Sequence, residues 1–199
     1  MLHEPADILV AVTGASGIIY ADRLLRQLTS LTSRVGLVIT PEAAEIAAQE
    51  IGWAVDFDTL QITGMAEEVR ARVRLYQPDD FNARYASGSG APEAMIICPC
   101  TIGTAGHIAA GLNNNLIHRA AGVMLKEHRP LVLVVRESPL SLVDLRNLTT
   151  LSEAGAVIMP AAPAFYSLPK SIDALVDFFV VRILDQIGLR MDHTGRWSG

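Results

Sequence analysis

Six short apolar runs alternate along this chain with longer segments in which apolar positions recur every three or four residues. The runs lie at 7 to 12 (DILVAV), 35 to 39 (VGLVI), 72 to 76 (RVRLY), 94 to 98 (AMIIC), 131 to 135 (LVLVV) and 156 to 159 (AVIM). They are rich in β-branched residues, and each predicts a strand. The intervening segments predict helices near 18 to 30, 41 to 51, 103 to 111, 115 to 127, 141 to 153 and 171 to 187. Strand followed by helix, repeated, predicts an α/β domain on a mostly parallel sheet. No internal repeat, domain linker or low-complexity tract interrupts the pattern, so residues 1 to 199 read as one domain. One connection is unusually long: QPDDFNARYASGSGAPE, 77 to 93, is rich in Gly, Ser and Pro, as functional or mobile loops are.

Polar residues gather where the predicted strands end, and ligands of open α/β sheets bind beyond those ends. The first strand leads into Thr13-Gly14-Ala15-Ser16-Gly17 at a helix start, where backbone N–H groups and a serine hydroxyl attract phosphate. The segment lacks the G-x-G-x-x-G and G-x-x-x-x-G-K-[ST] spacings, so a Gly-rich turn with a Ser cap is the other reading. The second strand leads to Thr40, which either caps the next helix ahead of Pro41 or contacts a ligand. The fourth leads into CPCTIGT with Thr101, Gly103 and Thr104, the fifth ends at Arg136 and Glu137, and the sixth runs through MPAAPAF to Tyr166. In a parallel sheet these lie along one rim. Small hydroxyl residues, helix starts and an arginine together point to a phosphorylated cofactor.

Half of the 199 residues are hydrophobic and 19% are charged, enough for a substantial core. A net charge of −5 gives no basic footprint for nucleic acid, although positive residues can still gather in one pocket. Cys98 and Cys100 flank Pro99, which is neither a C-x-x-C redox pair nor a zinc set, and they are expected to pack at a strand end. The five histidines lack metal spacing, and no metal is assigned. No secretory signal and no stretch near the ~18 apolar residues of a membrane span is evident, so a soluble, cytoplasmic setting is expected.

VTGASG (12 to 17), ASGSGAP (86 to 92), CPCTIGT (98 to 104), NNLIHRAAGVMLKEHRPLVLVVRESPL (114 to 140) and GAVIMPAAPAFY (155 to 166) together closely resemble the UbiX-type flavin prenyltransferases. The likeness runs through essentially the whole chain. It implies a Rossmann-like three-layer sandwich, assembled as a homododecamer. It also implies metal-independent transfer of a dimethylallyl group from dimethylallyl monophosphate to N5 and C6 of reduced FMN. The product, prenylated FMN, would go to a UbiD-type decarboxylase, with ubiquinone biosynthesis the expected setting.

The resemblance also implies roles for single residues. Gly14, Ala15, Ser16, Thr40, Thr101, Ile102, Gly103, Thr104 and Arg136 would bind FMN; Ser87, Arg119, Lys126, Tyr166 and Arg182 would hold the prenyl phosphate, divided between subunits. Tyr gives a hydrogen bond, Arg a planar charged fork and Lys a compact cation, a combination that suits a leaving phosphate. Glu50 and Glu137 would manage protons, with Ser16 near the reacting ring. Without the resemblance, Glu50 reads as a helix-end surface carboxylate and Glu137 as an Arg partner. Trp197 would help stabilise allylic cation character, with the 77 to 93 loop and the segment from about 188 to 199 as covers. The Ala- and Gly-rich 102 to 125 segment and the apolar 174 to 187 helix are the expected subunit-packing surfaces. Pro41 and His128 depart from a lysine and an arginine common in the family, neither at a reacting position.

Three other functions remain in view. Flavin-dependent cysteine-type decarboxylases share the FMN architecture but use a histidine in the region that here reads NARYASGSGAP, and none occurs between His3 and His107. A noncatalytic flavin carrier would bind FMN without turnover. Direct decarboxylation of an aromatic acid, the family's former description, would release carbon dioxide without a partner enzyme.

Overall fold

A computed structural model describes residues 7–32, 34–166 and 168–191. In chain order its strands are β1 (Ile8–Val12), β2 (Val35–Ile39), β3 (Ala54–Asp56), β4 (Gln61–Thr63), β5 (Val73–Tyr76), β6 (Ala94–Cys100), β7 (Leu131–Val135) and β8 (Val157–Pro160). Its helices are α1 (Ile18–Leu31), α2 (Pro41–Ile51), α3 (Glu67–Arg70), α4 (Ile102–Ala109), α5 (Leu116–Lys126), α6 (Leu142–Glu153) and α7 (Ile172–Gln186). All six expected strands form one sheet in the order β5-β2-β1-β6-β7-β8, every pairing parallel. The β3–β4 hairpin and α3 were not expected. Their strands are three residues long with only Ile62 buried, too short to show a period.

Side chains on successive strand residues point to opposite faces, and β1 shows the result. Ile8, Val10 and Val12 pack with α1, α2 and α7, while Leu9 and Ala11 pack with α4, α5 and α6. The sheet is therefore the middle of three layers. Ion pairs from Arg23 to Asp173 (2.8 Å) and to Asp177 lock α1 against α7. The surfaces expected to meet other subunits are largely interior instead. Val176, Phe179, Val180, Ile183 and Leu184 of α7 and Ala105, Ile108, Ile117, Ala120 and Ala121 of α4 and α5 are consumed by this chain's own core. Exposed apolar side chains cluster elsewhere, at Leu142, Val143 and Leu145 and at Phe165, Tyr166, Leu168 and Ile172.

The 77 to 93 connection is clamped to the body rather than standing as a loose cover. Two single-turn 3₁₀ segments, Arg84–Ala86 and Gly88–Gly90, flank Ser87. Tyr85 is fully buried and donates to Asp7 Oδ1 (2.7 Å), Arg84 pairs with Asp7 Oδ2 (2.9 Å), and Arg119 Nε donates to Ala86 O (2.8 Å). Burial, then the Asp7 carboxylate, pushes the Tyr85 hydroxyl's pKa up, so it remains a donor. The slot exists because residue 36 is glycine: a Cβ there would lie 2.6 Å from the Tyr85 hydroxyl. Cys98 and Cys100 sit buried in β6 as expected of packing residues, and burial raises both thiols, Cys100 to about 12.

Candidate active site

The chain runs from β1 outward through β2 to β5, then returns to β6 on the other side of β1. A crevice opens where the direction reverses, beyond the carboxyl ends of β1 and β6. Thr13 staples its floor: its hydroxyl donates to Pro99 O (3.0 Å) and accepts from the Thr101 N–H (2.8 Å). Gly14 keeps the wall low, since a Cβ there would meet Glu42 Cβ at 2.9 Å. The resulting cleft of about 330 Å³ is lined by Thr13, Gly14, Thr40, Glu42, Thr101, Gly103, Thr104, His107, Asn115 and His118.

Three helices begin on this cleft, each with a side-chain cap. Thr40 accepts from Ala43 N (3.2 Å), Thr101 from Thr104 N (3.1 Å) and Asn115 from His118 N (2.9 Å), opening α2, α4 and α5. Thr40 thus both caps and lines the cleft. Helix N-termini carry partial positive charge and unpaired N–H groups, so three converging on one crevice suit an anion. The donor set fits a phosphate-bearing flavin tail.

The first helix start, where an anion was expected, already has one from the chain itself. The Glu50 carboxylate, reaching from the last turn of α2, accepts from Gly17 N (3.0 Å) and Ile18 N (2.9 Å). A carboxylate at a helix N-terminus satisfies the N–H groups and complements the dipole, as a phosphate would. Glu50 is therefore tied to α1 rather than a plain surface carboxylate. Glu50→Ala is expected to lower stability by about 1–2 kcal/mol in urea unfolding, while Glu50→Gln, which keeps a carbonyl acceptor, loses less than half of that. Equal losses would deny the carboxylate its capping role.

At the rim, Arg136 Nε donates to Ser16 O (3.2 Å), bringing together the ends of β7 and β1. Ser16 and Arg136 are exposed, Ala15 is buried beneath them, and half-buried Ile102 opens α4. Glu137 turns onto its own loop, accepting from Ser138 N (3.0 Å), instead of serving as an Arg partner.

The expected prenyl-phosphate residues form two groups in different layers. Ser87, Arg119 and Lys126 lie on the α5 side, where a Cβ on Gly88 would come within 3.4 Å of Lys126 Nζ. Lys126 pairs with Glu127 at 3.1 Å, an exposed contact easily exchanged for a ligand. Tyr166 and Arg182 lie on the α7 side: the Tyr166 ring meets Phe178 edge-on at 5.5 Å, and Arg182, one turn beyond Phe178, pairs with Asp185 at 3.5 Å. Trp197 and the end of the 188 to 199 segment lie outside the described residues.

Sequence reasoning passed over the two histidines in the cleft wall. His107, in the last turn of α4, and His118, in the first turn of α5, stack with ring centroids 4.7 Å apart and planes within 5°. Burial, then neighbouring His107, pushes the His118 pKa down to about 4, so its ring is neutral near pH 7. Thr13 and Asn115 were likewise not assigned to the site; the start of the 115 to 127 helix was the available signal for Asn115.

Comparison with known proteins agrees with this fold. The family described as Flavoprotein matches residues 2–184. The flavin prenyltransferase UbiX of Pseudomonas aeruginosa is 45% identical over 201 residues, covering 99% of this chain and 96% of the relative. The solved structure of AnUbiX in complex with FMN and dimethylallyl pyrophosphate superposes with a TM-score of 0.86 at 37% identity, covering 98% of this chain and 99% of the other. A dodecameric FMN-dependent UbiX-like decarboxylase from Escherichia coli O157:H7 gives 0.86 at 36% identity, covering 97% and 100%. The chain belongs to the Flavoprotein family and, within it, to the UbiX flavin prenyltransferases.

Proposed function

We propose that this protein transfers a dimethylallyl group from dimethylallyl monophosphate to N5 and C6 of reduced FMN. The observation that carries the reading is the convergence of three capped helix starts, with Arg136 at the rim, on one crevice of a chain so similar to UbiX proteins. Reduced FMN supplies an electron-rich ring as the prenyl acceptor. Thr40, Thr101, Thr104 and the helix starts hold its tail, with Gly14, Gly103 and Ile102 shaping the approach. Arg136 sets a fixed positive charge beside the reduced ring, while Ala15 and Ser16 bound it.

Lys126, Arg119 and Ser87 of one copy and Tyr166 and Arg182 of another hold the phosphate of the prenyl donor. As the allylic C–O bond breaks, these groups stabilise the charge that collects on the departing phosphate. Glu137, turned toward solvent, and Glu50 at the α1 start take or relay the proton lost when the second carbon bond forms. The reaction requires that water, which would capture the cation as an alcohol, be excluded from the site. We further propose a homododecamer, with the exposed apolar residues of α6 and of 165 to 172 buried between copies. Delivery of prenylated FMN to a UbiD-type decarboxylase in the cytoplasm, serving ubiquinone biosynthesis, completes the reading. No helix among the described residues is long and apolar enough to cross a membrane.

Mass spectrometry of flavin after anaerobic incubation with reduced FMN tests the reaction, with dimethylallyl monophosphate and pyrophosphate as separate donors. A protein-dependent dimethylallyl adduct of FMN is expected with the monophosphate. Bound but unmodified FMN, where a control prenyltransferase works, would reject the transferase reading in favour of a flavin carrier.

A further inference from the structure

His118 is 6% exposed, yet it lines the flavin cleft and also a neighbouring hollow of about 160 Å³ that includes Arg119 and Lys126. Its Nδ1 is sealed from solvent and has no hydrogen-bond partner. A neutral imidazole carries one N–H, and an unpaired buried donor is costly. The proton therefore belongs on Nε2, the ring nitrogen that is not sealed. Ring orientation is held from the other side: His107 lies flat against it, and a carbonyl can only accept, so His107 Nδ1–H donates to Gly103 O (2.8 Å) and anchors the stack to α4. Protonation of His118 is opposed by burial, by His107 and by the positive start of α5. The arrangement presents one neutral, rigid N–H donor beside the capped helix starts.

We propose that His118, positioned by its stack on His107, donates a hydrogen bond from Nε2 to an oxygen of the ribityl phosphate tail of the flavin. This rests on the FMN reading above. The donor differs in kind from the rest of the cleft. Threonine hydroxyls rotate and helix starts attract charge, whereas His118 offers a fixed direction without adding a cation. Its role is to set where the tail ends, and through the tail the depth at which the ring sits beneath Arg136.

Fluorescence titration of the purified protein with FMN and with riboflavin tests this, alongside thermal melts of every variant. His118→Gln places an amide N–H near Nε2, His118→Asn reaches only to Nδ1, and His118→Phe keeps a flat ring without a donor. Phe and Asn are expected to weaken FMN binding about tenfold, the worth of one shielded hydrogen bond, while Gln stays within about threefold of wild type. Equal weakening for riboflavin places the bond on a ribityl hydroxyl; weakening confined to FMN places it on phosphate. Unchanged affinity in Asn and Phe, or an equal loss in Gln, overturns the proposal. Wild-type protein that fails to bind FMN would instead reject the flavin reading itself.

Discussion

Lys126→Ala and Arg182→Ala are each expected to lower prenyl transfer about 10²–10³-fold, and oligomers assembled from a mixture of the two are expected to regain activity. In the proposed reaction each side chain supplies a charge-assisted contact to a phosphate that gains negative charge as it departs, and losing one such donor costs about 3–4 kcal/mol in the transition state. Recovery follows from the fold. Lys126 is carried by α5 and Arg182 by α7, and these helices cover opposite faces of the sheet. A site that takes Lys126 from one copy and Arg182 from a neighbour is intact wherever each copy contributes its unmutated half. Equal mixing should then restore about a quarter of wild-type turnover, the statistical share of such sites. Co-assembled oligomers, confirmed by native mass spectrometry, that stay inactive would show that one copy supplies both residues.

Gly36→Ala is expected to destabilise the protein by about 3–4 kcal/mol and to lower the melting midpoint by roughly 10 °C. The added methyl would sit 2.6–2.9 Å from three atoms of Tyr85, too close for any contact to survive. Tyr85 would have to leave a slot in which it is fully buried, breaking its hydrogen bond to Asp7 and leaving that nearly buried carboxylate to Arg84 and Arg34. Ser87, two residues further on, would lose its anchor as well. In combination with Tyr85→Ala, which empties the slot, Gly36→Ala should add less than its separate cost. A full additive loss in urea unfolding would mean that the two residues do not meet.

The six strands and six main helices could be read from the chain because each is long enough to carry its own period or cap. Ser171, for instance, accepts from Ala174 N at the start of α7, where the helix was expected. The β3–β4 hairpin was hidden because Ala54–Asp56 and Gln61–Thr63 place a single buried side chain, Ile62, in the core. The rim residues Gly14, Thr40, Thr101, Gly103 and Thr104 were recognisable because strand ends of a parallel sheet share one edge. Nothing local marked His107 and His118: they lie eleven positions apart, and only the turn between α4 and α5 lays one ring on the other.

By itself the sequence determined the α/β class, the strands, the helix caps and the family, all of which depend on residue type and short-range spacing. Tertiary structure decided which helix starts remain available to an anion. Glu50 closes the α1 start from 32 residues away in the chain, while α2, α4 and α5 stay open to the cleft. It also decided that the residues expected to hold the prenyl phosphate divide between two layers, and that the apolar face of α7 belongs to this chain's own core. The physical reason is common to all three. A carboxylate, a guanidinium or a leucine acts on what lies within a few ångströms, and those neighbours are set by how the sheet stacks its helices rather than by order along the chain.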